Sequence, residues 1–394
     1  MGALTLTNLI PTIQQAMDTV SRELVGFIPA VGKDSSAERA AVNQTVYSPV
    51  VGAMVAEDLA PAAYAADTPA QTIGNVAITI TKARSVPFGI TGEETKGLNN
   101  AGTLGNINAD RIAQAMRTLT NEIETDLAGL HVKASRAYGT YNATPFGTAG
   151  DLTDFSNSLK ILEENGAPSS DLHMVLGATA VSNIRGKQST LFQANTGGPQ
   201  AEALLRKGAL GEVQGMLLHN SAQVKTAVAV GAMASATTNT TGYAVGATTI
   251  TLALAGTGVV IAGDIITFAG DTNKYIVKSA TFAGANPAAG DTIVLAEPGL
   301  RQALPASAVA ITVIAATTRN MFFHRGAIQL ATRAPAMPEG GDAADDVMLV
   351  TDPVSGLTYE FCIYKQKRQV RYEVNLAWGS AMIAPRHCGI LIGA

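Results

Sequence analysis

The chain has 394 residues, enough for two or three domains with sizeable cores. Hydrophobic residues make up 47% and charged residues 15%, with a net charge of -4, so no global basic field exists to draw in nucleic acid. The start lacks a basic-then-apolar secretory pattern, every long apolar run is broken by Gly, Thr or Asp, and Cys362 and Cys388 form neither a disulfide framework nor a CxxC pair, which together argue against export and membrane spanning and fit a reducing compartment.

Residues 8–25 have the pattern of an amphipathic helix. Thr7 or Asn8 can cap it, Pro11 sits in its first turn, and Ile10, Ile13, Met17, Val20 and Leu24 recur at helical spacing. A one-faced helix needs a partner surface, either its own domain or a neighbouring chain. Over 43–90 two extended runs, Val46–Val51 and Val76–Arg84, flank an Ala/Pro-rich polar stretch. They read as a long two-stranded loop, which is marginal alone and must lie against something else.

The spacing of Ile112, Met116, Leu119, Ile123, Leu127 and Leu130 predicts a helix over 109–136, capped by Asn108 and carrying Asp110 in its first turn. At 1.5 Å per residue it would be a strut of roughly 42 Å. From 150 to 221 helices and strands alternate. Helices are expected at Phe155–Glu164, near Thr179–Arg185 and at Pro199–Lys207, with strands at Leu172–Leu176 and Val213–Leu218.

Between Ala222 and Ala316 charge nearly vanishes, with 8 charged residues in 95. Short period-two runs, Ala247–Leu254 and Asp264–Phe268, are punctuated by turns at Gly256–Gly258, Gly270–Asn273 and Gly284–Pro287. They predict an all-β module inserted into a mixed α and β chain. After it, strands are expected at Met321–His324, Asp346–Thr351, Leu357–Lys365 and Gln369–Ala381, with Trp378 closing the sheet. Two origins of the low charge stay open: surface destined for burial against copies of the chain, or an alanine-rich source.

No motif for nucleotide, zinc-protease or serine-hydrolase chemistry is present. The five histidines are scattered, and His387, Cys388 and Cys362 match no zinc spacing. The acidic pairs Glu93–Glu94, Glu163–Glu164 and Asp345–Asp346 read as solvated turns rather than acid/base machinery. Lys365–Arg368 is the one basic cluster, flanked by Glu360 and Glu373 without an aromatic platform. It reads as a hairpin turn, with an ion pair between subunits as the alternative. The sequence therefore assigns no catalytic, cofactor-binding or metal residue, and no cofactor.

The order of arm, extended loop, long helix, α/β part, β-insert and returning strands resembles the major capsid protein of tailed bacteriophages, with the Johnson-type fold. Thr249–Gly258 with Gly263–Gly270, Asn320–Arg333, and Val374–Gly379 with Ala384–Leu391 carry the likeness. They resemble the podophage coat-protein branch that bears an immunoglobulin-like insertion domain. The resemblance implies an α+β fold with an N-terminal arm at 1–42 and an extended loop at 43–90. It implies a peripheral domain at 91–149 with its spine helix at 109–136, an apical domain at 150–221 with returning strands at 317–394, and the insertion at 222–316. It further implies a non-enzymatic shell protein forming pentamers and hexamers in a virion capsid, assembled in the host bacterial cytoplasm. Scaffolding protein, portal and non-specifically held double-stranded DNA are its implied partners, with a decoration protein as a further candidate and no membrane. Relatives make charged two-fold contacts through the insertion, but Thr237–Tyr243 is uncharged here, so no such contact is expected at that loop. The alternative is a decoration or cell-surface adhesion protein built on a β-sandwich module.

Overall fold

The computed structural model describes residues 13–14, 26–50, 74–100, 104–188, 210–226, 228–352 and 355–394. The helices expected at 8–25 and at Pro199–Lys207 lie outside these residues, apart from Ile13 and Gln14, as does the Ala/Pro-rich stretch 51–73. The fold is mixed α+β, with four helices and three sheets among the described residues: α1 is Gly92–Asn100, α2 Leu104–Gly129, α3 Thr153–Glu164 and α4 Ala178–Lys187.

The apolar stripe read from the sequence places α2. Ile112, Met116, Leu119, Ile123 and Leu127 are all buried, in one core with Tyr359, Phe361, Val374, Leu376 and Trp378. At 26 residues the helix spans about 39 Å. Its boundaries differ from those expected. It begins at Leu104, so Asn108 lies inside it rather than capping it, and it ends at Gly129. A 3-10 turn, Leu130–Lys133, follows. Residues 134–136 leave the helix because their hydrogen bonds go elsewhere: the Ser135 amide donates to Cys388 O at 2.9 Å, and Arg136–Tyr138 pairs in parallel with Gly389–Leu391. Long-range sheet pairing here overrides local periodicity.

The helix packs on a six-stranded sheet whose central strand is Gln369–Met382. One edge of that strand pairs with Lys82–Thr91 over residues 369–378. The other edge pairs with Thr358–Gln366 in its first half and with Ile328–Pro335 in its second. Asp346–Thr351 extends one side. Gly32–Ala40, within the segment expected to be an arm, pairs in parallel with Ile328–Pro335 on the other.

The second sheet has eleven strands. Its middle is Thr318–His324, between Cys388–Gly393 and Leu172–Leu176, and Met216–Asn220 lies parallel to the last of these. A core of Phe155, Ile161, Leu162, Met174, Leu176, Ile184, Met216 and Phe322 packs α3 and α4 on this sheet.

Among the described residues of 222–316 every regular element is a strand: Thr249–Thr251, Ile265–Phe268, Lys274–Thr281, Thr292–Leu295 and Ile311–Val313. They enclose a separate core that includes Ile250, Ile266, Phe268, Tyr275, Val277, Ile293 and Leu300. These strands nevertheless continue the eleven-stranded sheet. Lys274 and Tyr275 pair with Ala137 and Arg136, so Arg136–Tyr138 is the seam between the strands of 222–316 and Cys388–Gly393.

Candidate assembly surfaces

The feature that the body does not absorb is a two-stranded ribbon, Thr45–Val50 against Gly74–Thr79, with the register Thr45 opposite Thr79 and Val50 opposite Gly74. It forms a sheet of its own. Alternation of Val, Tyr, Ile and Thr favours extended backbone, but among the described residues the ribbon has no second layer over its shaft: Tyr47 is 65% exposed, and Thr45, Pro49, Asn75 and Ala77 are exposed as well.

Only its base is buried. Ile78 and Ile80 pack with Ala40, Ala331 and Ala377. Asn43 N donates to Ile80 O and Ile80 N to Gln44 O, both at 2.9 Å, and Thr81 N donates to Trp378 O at 3.0 Å. Polar groups fix the base further. Arg39 meets Glu360 at 2.5 Å, and Lys82 Nζ lies 3.1 Å from Glu122 and 2.8 Å from Asp126, both on α2. Asp126 also accepts the indole Nε1–H of fully buried Trp378 at 2.9 Å. The ribbon thus has a rigid root and an uncovered shaft.

The basic run lies at the opposite end of the same sheet. Lys367 and Arg368 form the turn between Thr358–Gln366 and Gln369–Met382, with Arg368 at φ +60°. Lys365 pairs with Asp345 at 3.3 Å. Lys367 and Arg368 are exposed, beside a groove bordered by Ile90–Glu93 at the start of α1.

Two of the paired acids make structural contacts. Glu94 accepts the Thr91 amide at 2.8 Å while its own amide donates to Thr91 Oγ1 at 3.2 Å, a reciprocal cap that starts α1. Glu164 meets Arg136 at 2.5 Å and Lys160 and Arg301 at longer range. Cys362 and Cys388 are free, buried and in different sheets, and burial pushes the Cys362 thiol up to about 12. No group of three or more metal-ligating side chains occurs among the described residues, and no helix there is long and apolar enough to cross a membrane.

No protein-family model matches the chain, and no curated protein sequence does. Solved structures resemble it at low identity. A chain of the structure titled Mycobacterium phage Che8 is 13% identical, with 89% of this chain and 84% of that one covered at a TM-score of 0.43. A chain of the capsid of cyanophage P-SCSP1u is 10% identical over 93% and 88%, at 0.46. A chain of the mature capsid of bacteriophage PhiM1 is 10% identical over 93% and 86%, at 0.42.

The gathering of the histidines is not legible in the sequence. Four of the five, His173, His219, His324 and His387, stand around one end of the eleven-stranded sheet. His173 Nδ1 lies 3.0 Å from His219 Nε2, and the rings of His324 and His387 meet edge-on at 6.4 Å. The parallel pairing of Leu172–Leu176 with Met216–Asn220 makes the first contact, across 46 residues of chain. Nor does the sequence reveal Glu124, buried on α2, which accepts from Phe27 N, Ile28 N and Ser221 Oγ at 2.7 to 3.0 Å. No local pattern marks either contact, because both join distant segments.

Proposed function

We propose that this chain is a tailed-phage major capsid protein, a subunit that self-assembles through pentamers and hexamers into an icosahedral shell around double-stranded DNA. The observation that carries the reading is the rooted, uncovered ribbon at 45–50 and 74–79. A lone two-stranded sheet is marginal in water, and exposed strand edges invite pairing with another chain. A ribbon held so firmly at its base is stabilised when a sibling copy covers its shaft. Many modest contacts of this kind suit a shell, since each added neighbour is held at high effective concentration.

The sequence resemblance supports the same reading, and so does the low charge of the chain, which suits surface covered on assembly. On this reading the segment 1–42 faces the interior, where scaffolding protein and DNA lie. The module at 222–316 is an immunoglobulin-like insertion on the outer, apical part, open to a decoration protein. The portal occupies one vertex, and the particle assembles in the bacterial cytoplasm.

Electron microscopy and sedimentation of the purified chain, with and without a candidate scaffolding protein, test the proposal. Closed shells or capsomer rings are the expected result. A protein that stays monomeric at high concentration under every condition, and that binds glycans, would instead favour the adhesion or decoration alternative.

A further inference from the structure

The histidine pair is built into a place where it can hold at most one extra proton comfortably. His173 lies on Leu172–Leu176 and His219 on Met216–Asn220, and these parallel strands are neighbours in the eleven-stranded sheet. At 3.0 Å between His173 Nδ1 and His219 Nε2, one ring nitrogen donates and the other accepts. The rings tilt by 33° with centroids 5.2 Å apart. His173 is only 2% exposed, and its Nε2 is buried without a partner among the described residues.

The surroundings are short of counter-charge. His173 faces Arg325, Asp171 and His324, and His219 faces His173 and Arg325. His387, next to Arg386, stands behind His324. Among the described residues Asp171 is the one carboxylate that acts on the pair, and it is mostly exposed and already 3.9 Å from Arg325. The Phe323 ring covers His173 from Thr318–His324. Two imidazolium rings in contact would therefore repel each other inside a site that already contains a guanidinium.

The strand that carries His219 leads directly to the inserted module. Two residues later, Ser221 Oγ donates to Glu124 Oε2 at 2.8 Å. Arg319, at the start of Thr318–His324 on the far side of Leu172–Leu176, donates its amide to Lys225 O at 2.8 Å. Met216–Asn220 therefore leads into the first of the links between 222–316 and the rest of the fold, beside the pairing of Lys274 and Tyr275 with Ala137 and Arg136.

We propose that His173 and His219 form an acid-sensitive latch: neutral, they zip Met216–Asn220 onto Leu172–Leu176, and doubly protonated, they open that strand pair and free the first connection to the 222–316 module. Burial, with Arg325 and, for His219, His173 itself adding repulsion, pulls both imidazoles down to about 4. The direction follows from linkage. A histidine whose folded value is depressed leaves the open state binding more protons, so closure weakens as pH falls from the ordinary histidine value near 6.5 toward 4. Each histidine alone shifts the closing equilibrium by up to tenfold per pH unit in that window. Burial raises Glu124, which acts in the opposite sense, favouring the closed protein in acid, so it is not the source of the opening. The latch belongs to the folded chain and does not depend on shell formation.

Backbone amide hydrogen exchange of the intact chain between pH 7.5 and 4, corrected for intrinsic rates, tests this. Protection over 172–176 and 216–220 is expected to fall by at least tenfold on acidification, before protection falls in Gln369–Met382 of the other sheet. His219→Gln keeps a hydrogen-bonding group beside His173 but removes the second charge, and is expected to move the loss to lower pH. His131→Gln, a buried histidine away from the pair, is expected to leave its midpoint in place. If His219→Gln does not fold, imidazole resonances of the unaltered protein decide, with His173 and His219 expected to titrate well below His324. Unchanged protection down to pH 4, simultaneous loss in both sheets, the same midpoint in His219→Gln, or ordinary titration of the pair would each overturn the proposal.

Discussion

The carboxylate of Glu124 accepts the backbone amide of Ile28 at 2.7 Å, 96 residues away in sequence. The same side chain takes the Phe27 amide and the Ser221 hydroxyl, so a single buried acid on α2 ties together the chain entering the six-stranded sheet and the chain leaving Met216–Asn220. Charge-assisted hydrogen bonds to backbone amides are among the stronger ones. Glu124→Ala would leave three donors without their acceptor in the core, at an expected cost of about 3 kcal/mol. Urea unfolding should show the midpoint falling accordingly, with Glu124→Gln intermediate because an amide oxygen still accepts. A loss below about 0.5 kcal/mol in Glu124→Ala would mean that the three segments do not depend on this carboxylate.

Trp378 and Asp126 fasten the long helix to the sheet. The indole is completely buried, and Asp126 accepts its only polar hydrogen. Trp378→Ala is expected to destabilise by about 3–5 kcal/mol, through lost apolar burial and the cavity left behind. Asp126→Ala should cost roughly 1–3 kcal/mol by orphaning the indole N–H. Lys82→Ala should cost under about 1 kcal/mol, because that lysine sits at the edge where ion pairs are screened. The same denaturation assay ranks the three, and a lysine variant as damaging as the aspartate variant would contradict the role given to the indole bond.

How far the sequence revealed this arrangement depends on whether its signal was local. The buried face of α2 was legible because Ile112, Met116, Leu119, Ile123 and Leu127 repeat at helical spacing, and Tyr359, Phe361 and Ile363 alternate as a strand should. The end of α2 was not, since Arg136–Tyr138 becomes a strand only by meeting residues 389–391. Gly32–Ala40, with the sequence GKDSSAERA, has little strand propensity. It is held instead by parallel pairing and by Arg333–Asp34 at 3.0 Å and Arg39–Glu360. Among the candidate surfaces, the ribbon was visible as two extended runs. Its root at Trp378 and Ala331, and the meeting of His173 with His219, were hidden by chain separation.

The ribbon predicts a separation of folding from assembly. Replacing residues 48–76 by a short turn removes the uncovered shaft while leaving Val46, Ile78 and Ile80 at the root and the core of α2 and the six-stranded sheet intact. Circular dichroism and thermal melting should show a folded protein, and electron microscopy should show no shells. Tyr47→Asp is the milder version, placing a charge on the most exposed ring of the ribbon, and is expected to weaken assembly without lowering monomer stability by more than about 0.5 kcal/mol. Shells of ordinary yield from the truncated chain would remove the ribbon from the assembly mechanism.

The junction between module and body can be probed at Gly263, where the backbone has φ +90° and a side chain would meet Val132 Cγ1 at 2.9 Å. Two penalties therefore add in Gly263→Ala: a left-handed backbone that alanine tolerates poorly, of order 1 kcal/mol, and a steric clash with the 3-10 turn Leu130–Lys133. Val132→Ala removes the clashing methyl while leaving the backbone term. If the module is seated as closely as the contact implies, the double variant should recover part of the loss caused by Gly263→Ala, giving a coupling of about 0.5–3 kcal/mol in a double-mutant cycle. Strictly additive losses would show instead that the module yields at this point, and that pairing of Lys274 and Tyr275 with Arg136–Tyr138 holds the junction without help from the turn.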